Sequence, residues 1–306
     1  MNSVFFLTTV FIWGTTWIAI HWQLGSVEPL ISIFYRFAIA AVLFLPVLLL
    51  LGKLQNTRIR DHLFFVLQGL CLFSLNYICF YTASQYIISG LIAVIFASAI
   101  LFNALNQWLI WQRKPSLFIY IAGVLGISGL VILFWEQLLS AHESHNIIYG
   151  IIYSIVGTYL FSLGNMVSLR NSTQHIQPWT SNAYGMIYGT LILLFIIWLL
   201  DIPWGWDERP LYWGSLLYLS IPGSILGFTI YLALVARIGA NQAAYTTVLF
   251  PVVALTISTF LEGYIWGYKE GVGLTLVIIG VLFAIKGDYL LKIVLSLITN
   301  KKSVAD

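Results

Sequence analysis

The chain has 306 residues, of which 60% are hydrophobic and 8% charged, with a net charge of +3. Soluble domains carry about 25% charged residues, so this composition leaves too little polar surface to face water and points to lipid as the solvent. The Lys and Arg residues form no basic cluster, which excludes a nucleic-acid partner. Cys71 and Cys79 share one apolar segment, which fits neither a disulfide framework nor zinc-ligand spacing.

Runs of about 20 apolar residues, each long enough to cross a bilayer core of roughly 30 Å, predict ten helical spans. In chain order they are Ser3–Trp22, Pro29–Leu51, Leu63–Ala83, Ser89–Trp111, Leu117–Trp135, Ile147–Leu169, Trp179–Leu200, Leu211–Ala236, Asn241–Glu262 and Gly271–Leu291. The first run has no Lys or Arg before it and no small-x-small site after it, so it is read as a retained helix. The ninth contains Pro251 near the middle of the apolar stretch from Arg237 to Trp266, where a proline removes one backbone hydrogen bond. The eighth contains Pro222; both prolines are hinge candidates.

Cytoplasmic loops hold the excess of Lys and Arg. With the N-terminus in the cytoplasm, the inside loops and tail carry Lys53, Arg58, Arg60, Arg113, Lys114, Arg170, Arg237, Lys286, Lys292, Lys301 and Lys302. The outside loops carry Arg209 and Lys269.

The halves repeat. Pro29, Ser32 and Tyr35 match Pro178, Ser181 and Tyr184 at an offset of 149, Gly14 matches Gly164 at 150, and Ala93 and Gly129 match Ala244 and Gly280 at 151. Five spans per half is an odd number, so the halves enter the membrane oppositely, as in many secondary transporters. The expected fold is all-α integral membrane: ten transmembrane helices as two inverted five-helix repeats, with both termini cytoplasmic. The repeats are assigned to residues 3–135 and 147–291, joined by a polar connector, 136–146, and followed by a cytoplasmic tail, 292–306.

The chain resembles the drug/metabolite transporter superfamily, specifically its EamA-type ten-helix members. The resemblance is carried by WGTTWIAI from Trp13, YRFAIAA from Tyr35, SGLIAVIF from Ser89, ARIGANQAAYTTVLFPVVALTIS from Ala236 and LEGYIW from Leu261. It implies export of small metabolites, such as amino acids, or of drugs, from the plasma (inner) membrane of a bacterium by alternating access. The chain departs from the family pattern in three places. Ala99-Ile100 stands where the family often has Pro, which removes the usual cause of a kink in the fourth span. His21 stands for Lys, and Gln112-Arg113 for Glu-Arg.

Within the spans, Arg36 lies roughly 10 Å past Pro29. It is either a cavity cation that meets an anionic group of a substrate, such as a carboxylate, or a side chain that snorkels to the outer surface beside Glu28. Glu262 ends the ninth span, which favours an interfacial or capping role over a coupling carboxylate. The mid-helix amides Asn76, Asn103, Asn106, Gln107, Asn165 and Asn182 serve either as interhelical glue or as a polar cavity lining. Trp13 and Trp17, Tyr77 and Tyr81, and Tyr184 and Tyr188 are i, i+4 pairs that form either an aromatic-lined pocket or packing and belt surfaces. Small residues at Gly223 and Gly227, Ala122 and Gly126, and Gly273 and Gly280 are read as close helix contacts.

The function read from this pattern is a secondary transporter of small molecules embedded in lipid, with no cofactor, metal or catalytic residue called for. The substrates are amino acids or related compounds, or alternatively hydrophobic or cationic drug-like molecules. An intramembrane enzyme would need an Asp-rich helix cluster or a Ser-His pair at depth, and neither is present. The duplicated halves argue against a channel.

Overall fold

The computed structural model describes residues 2–135, 146–243, 246, 247 and 249–283. The connector called at 136–146, apart from its last residue, and the tail called at 292–306 lie outside them. The described residues are helical throughout, joined by turns and loops, with no strand among them. Seven helices are long and apolar enough to cross a membrane: α1 (Asn2–Trp22, its candidate span Ser3–Trp22), α2 (Pro29–Leu50), α3 (Ile59–Ala83), α4 (Ser89–Trp111), α6 (Asn146–Thr173, its candidate span Ile147–Thr173), α7 (Pro178–Leu199) and α8 (Pro210–Ile238). Shorter apolar helices are α5 (Leu117–Leu133) and α9b (Phe250–Leu261); a four-residue turn, α9a (Ala240–Ala243), precedes the latter, and α10 covers 268–283.

α3 starts four residues before the predicted span, at Ile59, through a charged and polar first turn. That turn is held by the Asp61 carboxylate, which accepts the Arg58 backbone N–H (3.1 Å).

Two helices are interrupted by π-helical segments at matching places. In α3 the segment is Leu70–Ser74, and in α8 it is Leu219–Leu226. Ser74 Oγ donates to Gly69 O (3.1 Å) and Ser224 Oγ donates to Leu219 O (2.8 Å), each to a carbonyl five residues back. In lipid a freed carbonyl has no water, so a nearby hydroxyl takes its place. Pro222, which has no N–H to give, sits inside the second segment.

The fourth and ninth spans are broken. In α4, Ala99–Trp111 follows Ser89–Phe96 after a turn at Ala97-Ser98. No proline is involved: the Ala97 N–H is shared between Ala93 O (3.1 Å) and Val94 O (3.2 Å), and both the Ser98 N–H (3.0 Å) and its hydroxyl (2.6 Å) turn to Ile95 O. The continuous ninth helix with Pro251 at its middle is corrected. The helical pieces are α9a and α9b, and Pro251 lies in the first turn of α9b. There its missing N–H would have had no intrahelical partner in any case.

α4 is the most enclosed of these seven helices. It packs on α6 and, through its first half, on α1 and α9b. α7 lies across α2 and α3, and α8 across α1 and α2. Where α3 crosses α7, a Cβ on Gly69 would stand 2.6 Å from Gly185 O and 2.7 Å from Gly189 N, so only glycine lets these backbones touch. The small residues read as contacts on α5 and α10 do meet: a Cβ on Gly280 would lie 3.0 Å from Ala122 O and 3.2 Å from Gly126 N. Large apolar side chains such as Leu50, Phe260, Leu117 and Val42 cover the outside, as a lipid-facing surface requires.

Candidate functional site

A small cavity of about 20 Å³ lies between α1, α3, α4, α6 and α8. Trp13, Thr16, Trp17 and Ile20 line it from α1; Asn76, Tyr77 and Phe80 from α3; and Phe96, Phe161 and Phe228 from α4, α6 and α8. The rings meet edge to face: Trp17 on Phe80 (5.2 Å) and Phe96 (5.4 Å), Trp13 on Phe228 (4.7 Å), and Phe96 on Phe161 (4.7 Å). Trp13 is fixed by its Nε1, which donates to Gly223 O (3.0 Å) within the π segment of α8. A Cβ at Gly227 would fall 2.4 Å from that Nε1, so this glycine makes room for the indole.

Arg36 stands behind the Tyr77 wall. It is 1% exposed, which rules out the snorkelling alternative. Its Nε donates to Ser224 Oγ (2.9 Å) and its Nη2 to the Tyr77 hydroxyl (3.2 Å), while the guanidinium lies 4.3 Å from the Tyr77 ring centre. Nη1 is buried without a hydrogen-bond partner. None of the ion pairs among the described residues involves Arg36; its partners are two neutral hydroxyls and aromatic faces. A buried cation held only by neutral partners is costly. Two further buried polar atoms at the cavity lack partners, Trp17 Nε1 and Asn76 Oδ1. Trp17 and Asn76 thus bring an unpaired donor and an unpaired acceptor to an aromatic cavity, with Arg36 behind Tyr77.

Of the residues singled out in the sequence, Trp13, Trp17, Asn76 and Tyr77 line this cavity, and Arg36 backs it. Tyr81 lies one turn further along α3 and donates to Gln23 Oε1, just past the end of α1. Asn103, Asn106 and Asn165 act as interhelical links. Asn106 donates to Ser162 Oγ (2.9 Å), and Asn165 to the Tyr231 hydroxyl (3.0 Å) and Asn103 Oδ1 (3.4 Å); Asn103 in turn donates to Ala240 O (3.4 Å). Tyr184 and Tyr188 are placed elsewhere: Tyr184 stacks on Phe65 (5.1 Å), and the Tyr188 hydroxyl bonds His62 Nδ1 (2.7 Å) at the far end of α3. The rings of Phe80, Phe96, Phe161 and Phe228 were missed. Phe80 shares a helix face with Asn76 and Tyr77 and was findable by spacing; the other three come from separate helices that only the crossing brings together.

Among the described residues no group of His, Cys, Asp and Glu could hold a metal ion. The described acids lie at helix ends and in loops. Asp61 pairs with Arg170 (3.1 Å) between α3 and α6. In the loop before α8, Asp207 pairs with Arg209 (2.6 Å), whose hydrogen bonds hold the Asp207 carboxyl below the usual carboxylate range.

A lipid-facing helical bundle around a small aromatic and polar cavity is the arrangement of a multi-pass membrane transporter. The chain belongs to the EamA-like transporter family, whose model matches residues 2–135 and 148–286. It is 25% identical over 288 residues to the protein PagO of Salmonella typhimurium, covering 92% of this chain and 91% of that protein. It is 25% identical to YedA of Escherichia coli, an uncharacterized inner membrane transporter, over 91% of this chain and 89% of that one. The uncharacterized transporter YyaM of Bacillus subtilis is 24% identical, with 89% of each chain covered. A solved crystal structure shares the fold at a TM-score of 0.68 and 14% identity, over 92% of this chain and 96% of the other.

Proposed function

We propose that this protein is a secondary transporter of a bacterial inner membrane that exports small metabolites, amino acids or related carboxylates, by alternating access. The observation that carries the substrate class is Arg36, a buried guanidinium with an unpaired Nη1 beside an aromatic cavity. A substrate carboxylate supplies the missing charge and acceptor, Asn76 Oδ1 accepts from a substrate ammonium, and the rings take the side chain. A cationic drug would meet like charge at Arg36, which disfavours the second reading.

The proposed architecture is ten spans in two inverted halves, with both termini cytoplasmic. Support comes from the paired π segments, in which Ser74 and Ser224 stand 150 residues apart, and from the separate family matches to each half. The Lys and Arg bias sets the orientation.

Reconstitution into liposomes with counterflow of labelled amino acids tests the function. Saturable exchange by the native chain, lost in Arg36→Ala at equal membrane abundance, is expected. Exchange that persists in Arg36→Ala but fails in Trp17→Ala would instead favour the hydrophobic class.

A further inference from the structure

Polar groups are also buried in clusters that the cavity does not use. The densest of these lies where α1, α4 and α9b end together. Glu262 follows the last residue of α9b, and its side chain is only 3% exposed. Its Oε1 accepts the Ser89 backbone N–H (3.1 Å), and its Oε2 accepts the Ser89 hydroxyl (2.5 Å) and the Ser258 hydroxyl. Ser258 Oγ in turn accepts the Gly90 N–H (3.0 Å). Two orphan amides at the start of α4 are thus satisfied from the other half of the chain, and the carboxylate meets the positive end of the α4 dipole. His21 at the end of α1 brings Nδ1 to 3.5 Å from Glu262 Oε1. Between this cluster and the cavity, the Tyr81 hydroxyl bonds Gln23, and both residues are buried.

The repeat offers a control inside the molecule. At offsets of 150 and 151 the counterparts of Glu262 are Gln112 and Trp111, and neither has a carboxylate. Gln112 Nε2 donates to Leu109 O of its own helix (3.3 Å). The start of α9a, which corresponds to the start of α4, receives instead Asn103 Nδ2 on Ala240 O (3.4 Å). The charged fastening therefore joins α4 to α9 at one end of the pair, among the described residues, and not at the other.

The geometry points to Glu262 as the positioning residue of a one-sided latch: it ties the start of α4 to α9b, keeps the membrane face that bears Glu262 and His21 shut, and leaves the opposite face as the one that opens without substrate. This rests on the transporter reading, since a shut and an open face have meaning only for a protein that alternates. Ser258 and Ser89 complete the latch from the two sides, and His21 screens the carboxylate from solvent. A glutamine at 262 removes the negative charge and turns one carboxylate oxygen into a donor, so the charge-assisted bonds are lost and the latch weakens with little change in shape.

The test is side-specific labelling of the full chain in membrane vesicles of both orientations, with a membrane-impermeant maleimide as probe. Cys71→Ala and Cys79→Ala remove the native thiols, and Thr16→Cys places one on the cavity wall. The thiol is expected to react from the face opposite Glu262 and to be protected from the Glu262 face. Glu262→Gln is expected to raise labelling from the Glu262 face by about tenfold, the factor carried by one charge-assisted hydrogen bond. If Glu262→Gln does not reach the membrane, the double variant Ser89→Ala with Ser258→Ala is expected to give the same sided increase. Unchanged labelling from the Glu262 face in the variant that does reach the membrane overturns the latch. A native chain that shows no saturable counterflow overturns the transporter reading instead, so the two failures are told apart.

Discussion

Arg36 is the residue on which the account turns. Its guanidinium is desolvated, yet its partners in the protein are hydroxyls and ring faces. A buried charge without a counter-ion costs stability that an apolar side chain of similar length would not. Arg36→Met keeps the stem and drops the charge. We expect it to unfold at the same temperature as the native chain or a higher one, measured without substrate, while losing transport. A melting temperature several degrees lower would make Arg36 a structural residue. Trp13 illustrates the opposite design. Its Nε1 is satisfied by Gly223 O, and its ring is held by Phe161, Phe228, Tyr231 and Phe250, so it is a fixed wall. Trp17, packed just as closely but with Nε1 unpaired, keeps a donor free.

At the scale of elements, the irregular segments are where the site is built. Arg36 is bonded to Ser224 inside the π segment of α8 and to Tyr77 just beyond the π segment of α3. The α3 segment forms without a proline, which indicates that the hydroxyl bonded five residues back, and not the proline, sustains this geometry. Thermal unfolding can separate the two. Pro222→Ala is expected to change stability by less than about 1 kcal/mol, because the widened turn persists. Ser224→Ala removes both the bond to Leu219 O and the acceptor for Arg36 Nε, and is expected to cost about 1–3 kcal/mol. Equal effects, or a larger one for Pro222→Ala, would make the proline the cause.

The whole molecule shows what was legible and what was not. Apolar run lengths located the helices, since lipid demands about 20 residues per crossing whatever the tertiary structure. Hydropathy could not foresee the α4 break at Ala97-Ser98, because it arises from a shared N–H and a serine hydroxyl. The division of the ninth span was also hidden. A proline in an apolar run reads as a kink, and only the backbone shows that Pro251 instead begins a helix. Trp13, Trp17 and Tyr77 could be named from helical spacing, and Asn76 as an amide inside an apolar span, both of which are local signals. Tyr184 and Tyr188 obey the same spacing, yet they face His62 and Phe65, because helix rotation is set by neighbours such as the Gly69–Gly185 contact.

Ligand-induced stabilisation of the purified chain tests whether a solute carboxylate binds the cavity through Arg36. A solute that binds the folded state raises the melting temperature with concentration. Across a panel of amino acids, we expect at least one to raise that of the native chain in a saturable way, and none to shift that of Arg36→Met. Equal shifts for both chains, or a response to cationic dyes alone, would contradict the account.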